Sequence, residues 1–150
     1  MKSTRTIICS LILAACPLAS ALAGLGGDTS SVDADRASLK GTVRVSPAKG
    51  FEVHEINTPD GLRVHEYLGP QGKVFAVSWR GAGIPDLRQM LGNYYSGYAQ
   101  AASAQHYNHH HLSVRSADVV VESSGHTRSF FGRAWVPALL PQSFSPEEIN

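Results

Sequence analysis

Apolar and polar positions alternate along three successive runs, 51–58, 62–68 and 73–80. That two-residue period is the signature of β-strands. Pro59-Asp60-Gly61 separates the first two runs, and Gly69-Pro70-Gln71-Gly72 separates the second two. Each link pairs a proline suited to the first central turn position with a glycine suited to the left-handed one. Three strands joined this way make an antiparallel meander. If Thr58 pairs with Leu62, then Val53 faces Tyr67, His54 faces Glu66, Glu55 faces His65 and Ile56 faces Val64. If Gly69 pairs with Lys73, then Tyr67 faces Phe75, His65 faces Val77 and Arg63 faces Trp79. One face then carries Val53, Tyr67, Phe75, Val77 and Trp79, with Glu55 and His65 among them. The other carries Ile56, Val64, Leu68, Val74 and Ala76, with His54 and Glu66. The third run is apolar on both faces, which predicts a central strand.

Beyond it the period changes. Gly83-Ile84-Pro85-Asp86 opens a helix, with proline at the first helical position and an acid at its positive end. Leu87, Met90, Leu91, Tyr94 and Tyr98 fall on one apolar face, read as a core face. Gly97 is expected to fray its end, and 99–111 reads as a loop with at most one further helical turn. A shorter helix is expected over 31–39, capped by Ser30 or Ser31 and ended by Gly41. Two strands, 112–122 and 126–136, meet at Ser123-Ser124-Gly125, and Pro137 stops the second. The expected class is α+β: an antiparallel sheet of about five strands, a three-stranded meander plus a C-terminal hairpin, with one main helix and a short N-terminal helix. The flanks 24–31 and 137–150, rich in Gly, Ser and Pro, are expected to be loose.

The first 23 residues do not join this pattern. Lys2 and Arg5 precede an uncharged apolar run over 6–13, and small residues lead to Ala21-Leu22-Ala23. This is the layout of a secretory signal peptide cut after Ala23. The run is too short to span a bilayer, which takes about 20 apolar residues. Leu13-Ala14-Ala15-Cys16 supplies an alternative, a lipoprotein box with Cys16 as the lipid anchor. Simple cleavage removes Cys9 and Cys16, the two cysteines of the chain, so the remaining single domain, 24–150, has no thiol and no disulfide. Removing Lys2 and Arg5 from the 13 basic residues leaves 11 against 12 acidic ones. With no basic stripe, nucleic acid is excluded as the expected partner, and no second apolar run implies a transmembrane helix.

Candidate chemistry is sparse. His106, His109, His110 and His111 lie within six positions. Imidazoles bind zinc, copper or nickel when three or four ligands converge. His109 and His111 share a face of an extended segment, and His106 joins them only if the chain folds back. No carboxylate or thiolate lies within the motif, so a solvated loop running into a strand is the expectation. A metal site at His106, His109 and His111 is the alternative. The crossed pairs His54–Glu66 and Glu55–His65 have the chemistry of a general acid and base, but cross-strand opposite charges are also ordinary sheet contacts. The two pairs point to opposite faces and cannot form one active site. Ser123-Ser124-Gly125-His126 lacks the strand–elbow–helix context of a hydrolase serine. Gly24-Leu25-Gly26-Gly27 follows no strand, so it reads as a flexible start and not a phosphate loop. Arg63 opposite Trp79 is expected to stack as a cation–π pair.

Several stretches together look familiar: Leu25-Gly26-Gly27-Asp28, Ser31-Val32-Asp33-Ala34-Asp35-Arg36, Val53-His54-Glu55-Ile56, Val64-His65-Glu66-Tyr67, Val74-Phe75-Ala76-Val77-Ser78-Trp79 and Pro85-Asp86-Leu87-Arg88-Gln89-Met90-Leu91-Gly92. They resemble a family of small exported bacterial proteins known as Domain of Unknown Function 2844. The resemblance implies export and a single domain, and brings no activity, cofactor or catalytic residue. The histidine cluster is not part of it. The expectation is an exported, periplasmic or secreted, non-enzymatic binding or envelope-associated module with an envelope partner or apolar ligand. A metal-binding protein and an enzyme built on one His–Glu pair are the alternatives. The binding reading expects an apolar groove or exposed aromatic patch around Tyr67, Phe75 and Trp79.

Overall fold

The computed structural model describes residues 24–104 and 111–150. One antiparallel sheet of seven strands organises them, with helices on one face. Helix α1 (Thr29–Ser38) precedes β1 (Thr42–Ala48), β2 (Phe51–Asn57), β3 (Arg63–Leu68) and β4 (Val74–Gly81). Helix α2 (Leu87–Leu91), a 3-10 turn (Gly92–Tyr94) and α3 (Tyr95–Ser103) follow. Then come β5 (His111–Arg115), β6 (Val120–His126) and β7 (Ser129–Trp135). The spatial order is β1-β2-β3-β4-β7-β6-β5. Strand β4, apolar on both faces, is the middle strand, as expected.

The meander forms through the turns its sequence predicts. Thr58 N–H donates to Leu62 O at 2.9 Å, and Gly61 has φ of 86°. Gly69 N–H donates to Lys73 O at 2.9 Å, and Gly72 has φ of 67°. The β2–β3 register is the expected one, with Val53 opposite Tyr67 and Glu55 opposite His65. The β3–β4 register agrees at Leu68–Val74, then slips, so that Tyr67 faces Ala76 and His65 faces Ser78. Phe75 is the extra residue of a β-bulge, and one extra residue sends everything beyond it to the other face. Val77 and Trp79 therefore join the helix side, not the Tyr67 side. Arg63 faces Arg80 instead of Trp79, so the expected Arg63–Trp79 stack gives way to Arg80 over Phe131, 5.9 Å from its ring centroid.

Seven strands replace the expected five for two reasons. The run Thr42-Val43-Arg44-Val45 forms an exposed edge strand, β1. The expected single strand over 112–122 breaks at Ser116, whose N–H donates to Val119 O at 2.9 Å, into β5 and β6. Ser123, Ser124 and Gly125 lie inside β6, and the hairpin turns two residues later, where Arg128 adopts φ of 65°. The main helix is broken, because Gly92 takes φ of 51°. Its second half runs on to Ser103, past the expected fraying point at Gly97. Asp28, not Ser30 or Ser31, caps α1 by accepting from Ser30 N–H at 2.9 Å.

Two cores result. Beneath the helices lie Ile56, Val64, Leu68, Val77 and Trp79, packed with Val32, Met90, Leu91 and Tyr98. On the opposite face Tyr67, Phe75 and Trp135 pack with Phe144 and Ile149 from the C-terminal segment. The segment 137–150 is therefore not loose. It is an arm laid across the sheet. Trp79 settles on Gly132: a Cβ there would lie 2.2 Å from its Cζ2. Gly132→Ala is expected to cost about 1–3 kcal/mol through overpacking, measured by urea unfolding. An unchanged midpoint would mean the indole has room to move.

Candidate functional site

The arm covers only part of its face of the sheet. Beside it, over β4, β7 and β6, lies an open cavity of about 400 Å³ lined by Arg80, Phe131, Glu122, Arg133, Ser124 and His111, among others. A second cavity of about 280 Å³, with Arg63 and His65 on its wall, shares Ser78, Arg80 and Asn150 with the first. Together they form a groove that passes the end of the arm. Pairing places these residues side by side: Arg80 faces Phe131, which faces Ser124, and Ser78 faces Arg133, which faces Glu122.

The groove's charges are unequally held. Arg133 gives Glu122 two hydrogen bonds, at 2.8 and 2.9 Å, and gives Pro146 O a third at 2.9 Å. Arg115 meets the other Glu122 oxygen at 2.6 Å. Glu122 thus serves two arginines. Among the described residues no acid is ion-paired with Arg80. It lies over Phe131, which is 50% exposed. A cation beside an exposed ring offers an anionic group a partner and a flat apolar body a surface.

Of the expected His–Glu pairs, one forms. His65 Nε2 lies 3.1 Å from Glu55 Oε2. Glu55 is held below its ordinary pKa, first by the Asn57 amide and then by His65. The other ring nitrogen of His65 lies 2.8 Å from the Asn150 main-chain oxygen, which also accepts from Tyr67 Oη at 3.0 Å and Ser78 Oγ at 2.8 Å. His65 therefore pins the arm, with both ring nitrogens engaged. His54 faces Glu66 in register, but its Nε2 lies 3.4 Å from Glu52. The aromatic patch expected to be open at Tyr67 and Phe75 is closed by the arm, and Trp79 is closed on the far side. His111 opens β5 and is exposed, while His106, His109 and His110 lie outside the described residues. Among the described residues no group of three His, Cys, Asp or Glu side chains gathers to hold a metal.

Glu66 has a different partner, which sequence reasoning missed. It lies on β3 facing the helices, and both it and Asp35 of α1 are fully buried. Gln89 Nε2 donates to Asp35 Oδ1 at 2.5 Å, and the nearby Gly24 backbone N–H favours the charged form of Asp35. No donor reaches Asp35 Oδ2 or either Glu66 oxygen. Burial, then the hydrogen bond and charge of Asp35, push Glu66 up to about 9. Burial raises Asp35 as well, against the lowering effect of Glu66, Gln89 and Gly24. Both shifts favour the neutral carboxyl, and Glu66, at about 9, keeps its proton at neutral pH. The local signal was the alternation itself, since Glu66 sits between Val64 and Leu68 on the helix-facing side.

A protein-family comparison covers almost all of this architecture. The model of the family described as "Protein of unknown function (DUF2844)" matches residues 21–149. The chain belongs to that family. The match spans α1, the whole sheet and the arm to Ile149, so the groove and the buried acid pair lie within the family's own domain. No curated protein and no solved structure matches the chain. Among the described residues no helix is long and apolar enough to cross a membrane.

Proposed function

We propose that this protein is exported after loss of residues 1–23 and acts without catalysis, binding a small anionic ligand with an apolar body in the groove beside its C-terminal arm. The observation that carries the reading is Arg80. It is an exposed cation at the groove, without an acidic partner among the described residues, over a half-exposed Phe131. The groove's volume of about 400 Å³ suits a small molecule. The adjoining Arg133, paired with Glu122 and tied to the arm at Pro146, makes a fixed wall. The expected apolar ligand thus becomes an amphiphilic one, because the aromatic patch is sealed and the open surface beside it is cationic. A periplasmic or secreted address follows from the leader, with the lipid anchor at Cys16 as its alternative.

Anilinonaphthalene sulfonate carries both features and reports binding by fluorescence. Saturable one-to-one binding is expected, weakened at least tenfold by Arg80→Ala and by Phe131→Ala, with melting temperatures unchanged. Binding that ignores both substitutions would remove the groove as the site.

A further inference from the structure

We propose that the buried Asp35–Glu66 pair is the docking site for the α-ammonium of Gly24, created when the leader is cut after Ala23. The inference rests on the leader reading above and adds a structural consequence to it. Hydrolysis adds water across the Ala23–Gly24 bond, leaving a carboxylate on Ala23 and an ammonium on Gly24. The position of that nitrogen is what matters. Gly24 is buried, with φ of 82°. A Cβ on it would lie 2.1 Å from Met90 O, so the glycine is closely seated against α2. Leu25 N–H donates to Met90 O at 2.9 Å. Gly26 N–H donates to Val74 O at 2.8 Å, and Val74 N–H donates to Gly27 O at 2.9 Å. The segment expected to be a loose start is therefore stitched to both layers. The Gly24 backbone N–H is close enough to Asp35 to favour its charged form, and Gln89, whose side chain holds Asp35 Oδ1, has its main-chain carbonyl oxygen 2.6 Å from where a Gly24 Cβ would lie.

The acid pair is short of what an ammonium supplies. Asp35 Oδ2 and both Glu66 oxygens are buried without a donor. Among the described residues no lysine, arginine or histidine is ion-paired with either carboxyl. Gln89 from α2 is a neutral donor, and His54 on β2, across from Glu66, turns to Glu52. An amide nitrogen offers one hydrogen, whereas an ammonium offers three and a positive charge. Buried carboxylates without a cation are costly, and a charged partner in place offsets much of that cost. Leader removal thus turns a poorly satisfied acid pair into a buried ion pair joining the chain start, α1 and β3. The uncut chain has the same fold with its socket unfilled, and the processed chain is the more stable.

The test compares two proteins recovered after export of the full chain, one native and one with a single serine inserted between Ala23 and Gly24. In the second, Gly24 is again an amide and the ammonium sits one residue away. The insertion is expected to raise the unfolding equilibrium constant at least tenfold at pH 7. A docked amine is stabilising below its unfolded value of about 8 and loses that effect as pH rises through its folded value, so the gap should close above pH 10. Asp35→Asn in both proteins should shrink the gap to within twofold. If Asp35→Asn does not fold, NMR titration of the Gly24 amine decides instead: a midpoint at least one unit above about 8 supports docking. A gap under twofold, or an amine titrating at its ordinary value, overturns the socket. Intact mass separates the two ideas, because a recovered chain starting anywhere but Gly24 overturns the leader reading itself.

Discussion

Replacing Glu66 by glutamine should flatten the pH dependence of stability between pH 5 and 8. The protein for this measurement is the one with a serine inserted before Gly24, whose acid pair has no ammonium. Glu66 is held neutral up to about 9 by burial and by Asp35, against an ordinary value of 4.5. Between those two values the folded chain binds a proton that the unfolded chain has released. Stability is therefore full at and below the ordinary value and falls as pH rises, levelling off above about 9. The slope for one proton is at most about 1.4 kcal/mol per pH unit. A glutamine amide supplies the same hydrogen to Asp35 at every pH. Glu66→Gln should consequently be more stable than its parent at pH 8 and close to it at pH 5. Groups remote from Glu66 contribute equally to both proteins and cancel in the difference. Denaturant unfolding at four pH values reads the slopes directly, and parallel curves would show that Glu66 is ionised in the fold.

The second large effect is expected at Phe144. Its ring packs edge-on against Phe75 at 4.8 Å and Phe51 at 5.1 Å between centroids, and meets Tyr67 at 6.0 Å. It is 8% exposed. Truncating a buried aromatic removes its transfer free energy and leaves a cavity, so Phe144→Ala should cost about 3 kcal/mol. That is a large share of the stability of a domain this size. The loss should exceed that of Leu140→Ala, since Leu140 packs only partly buried against the same core. Equal, small losses at the two positions would mean that the arm rests on the sheet without contributing to its core.

Much of the sheet was legible because its signals are local. Each meander turn needs a left-handed residue, and Gly61 and Gly72 stand where the register requires one. Strand β4 declared itself central because it has no polar face. That same property hid the bulge at Phe75. Where both faces are apolar, a one-residue slip costs little in local pattern, and only packing against β7 and the helices selects it. Strand β1 offered a Val-Arg-Val alternation but is exposed along its whole length, so no buried face reinforces it. The histidine cluster drew notice through density of residue type, yet the groove's arginine and phenylalanine come from strands about 50 residues apart.

By itself, the sequence determined the class, the meander and its first register, because turn chemistry and alternation act over a few residues. It also marked the Ala23–Gly24 bond as the expected cut. Only the tertiary structure decided which surfaces are sealed. Phe144 and Ile149 are isolated apolar residues in a polar tail until the sheet offers Tyr67 and Phe75, some 70 positions earlier, to cover. Glu66 reads as the cross-strand partner of His54, and Asp35 as one polar position of a short helix, until α1 lies on β3 and removes water from both. Burial is a property of the assembled layers, and burial is what turns a polar side chain into a titrating pair and leaves Arg80 exposed at an open groove.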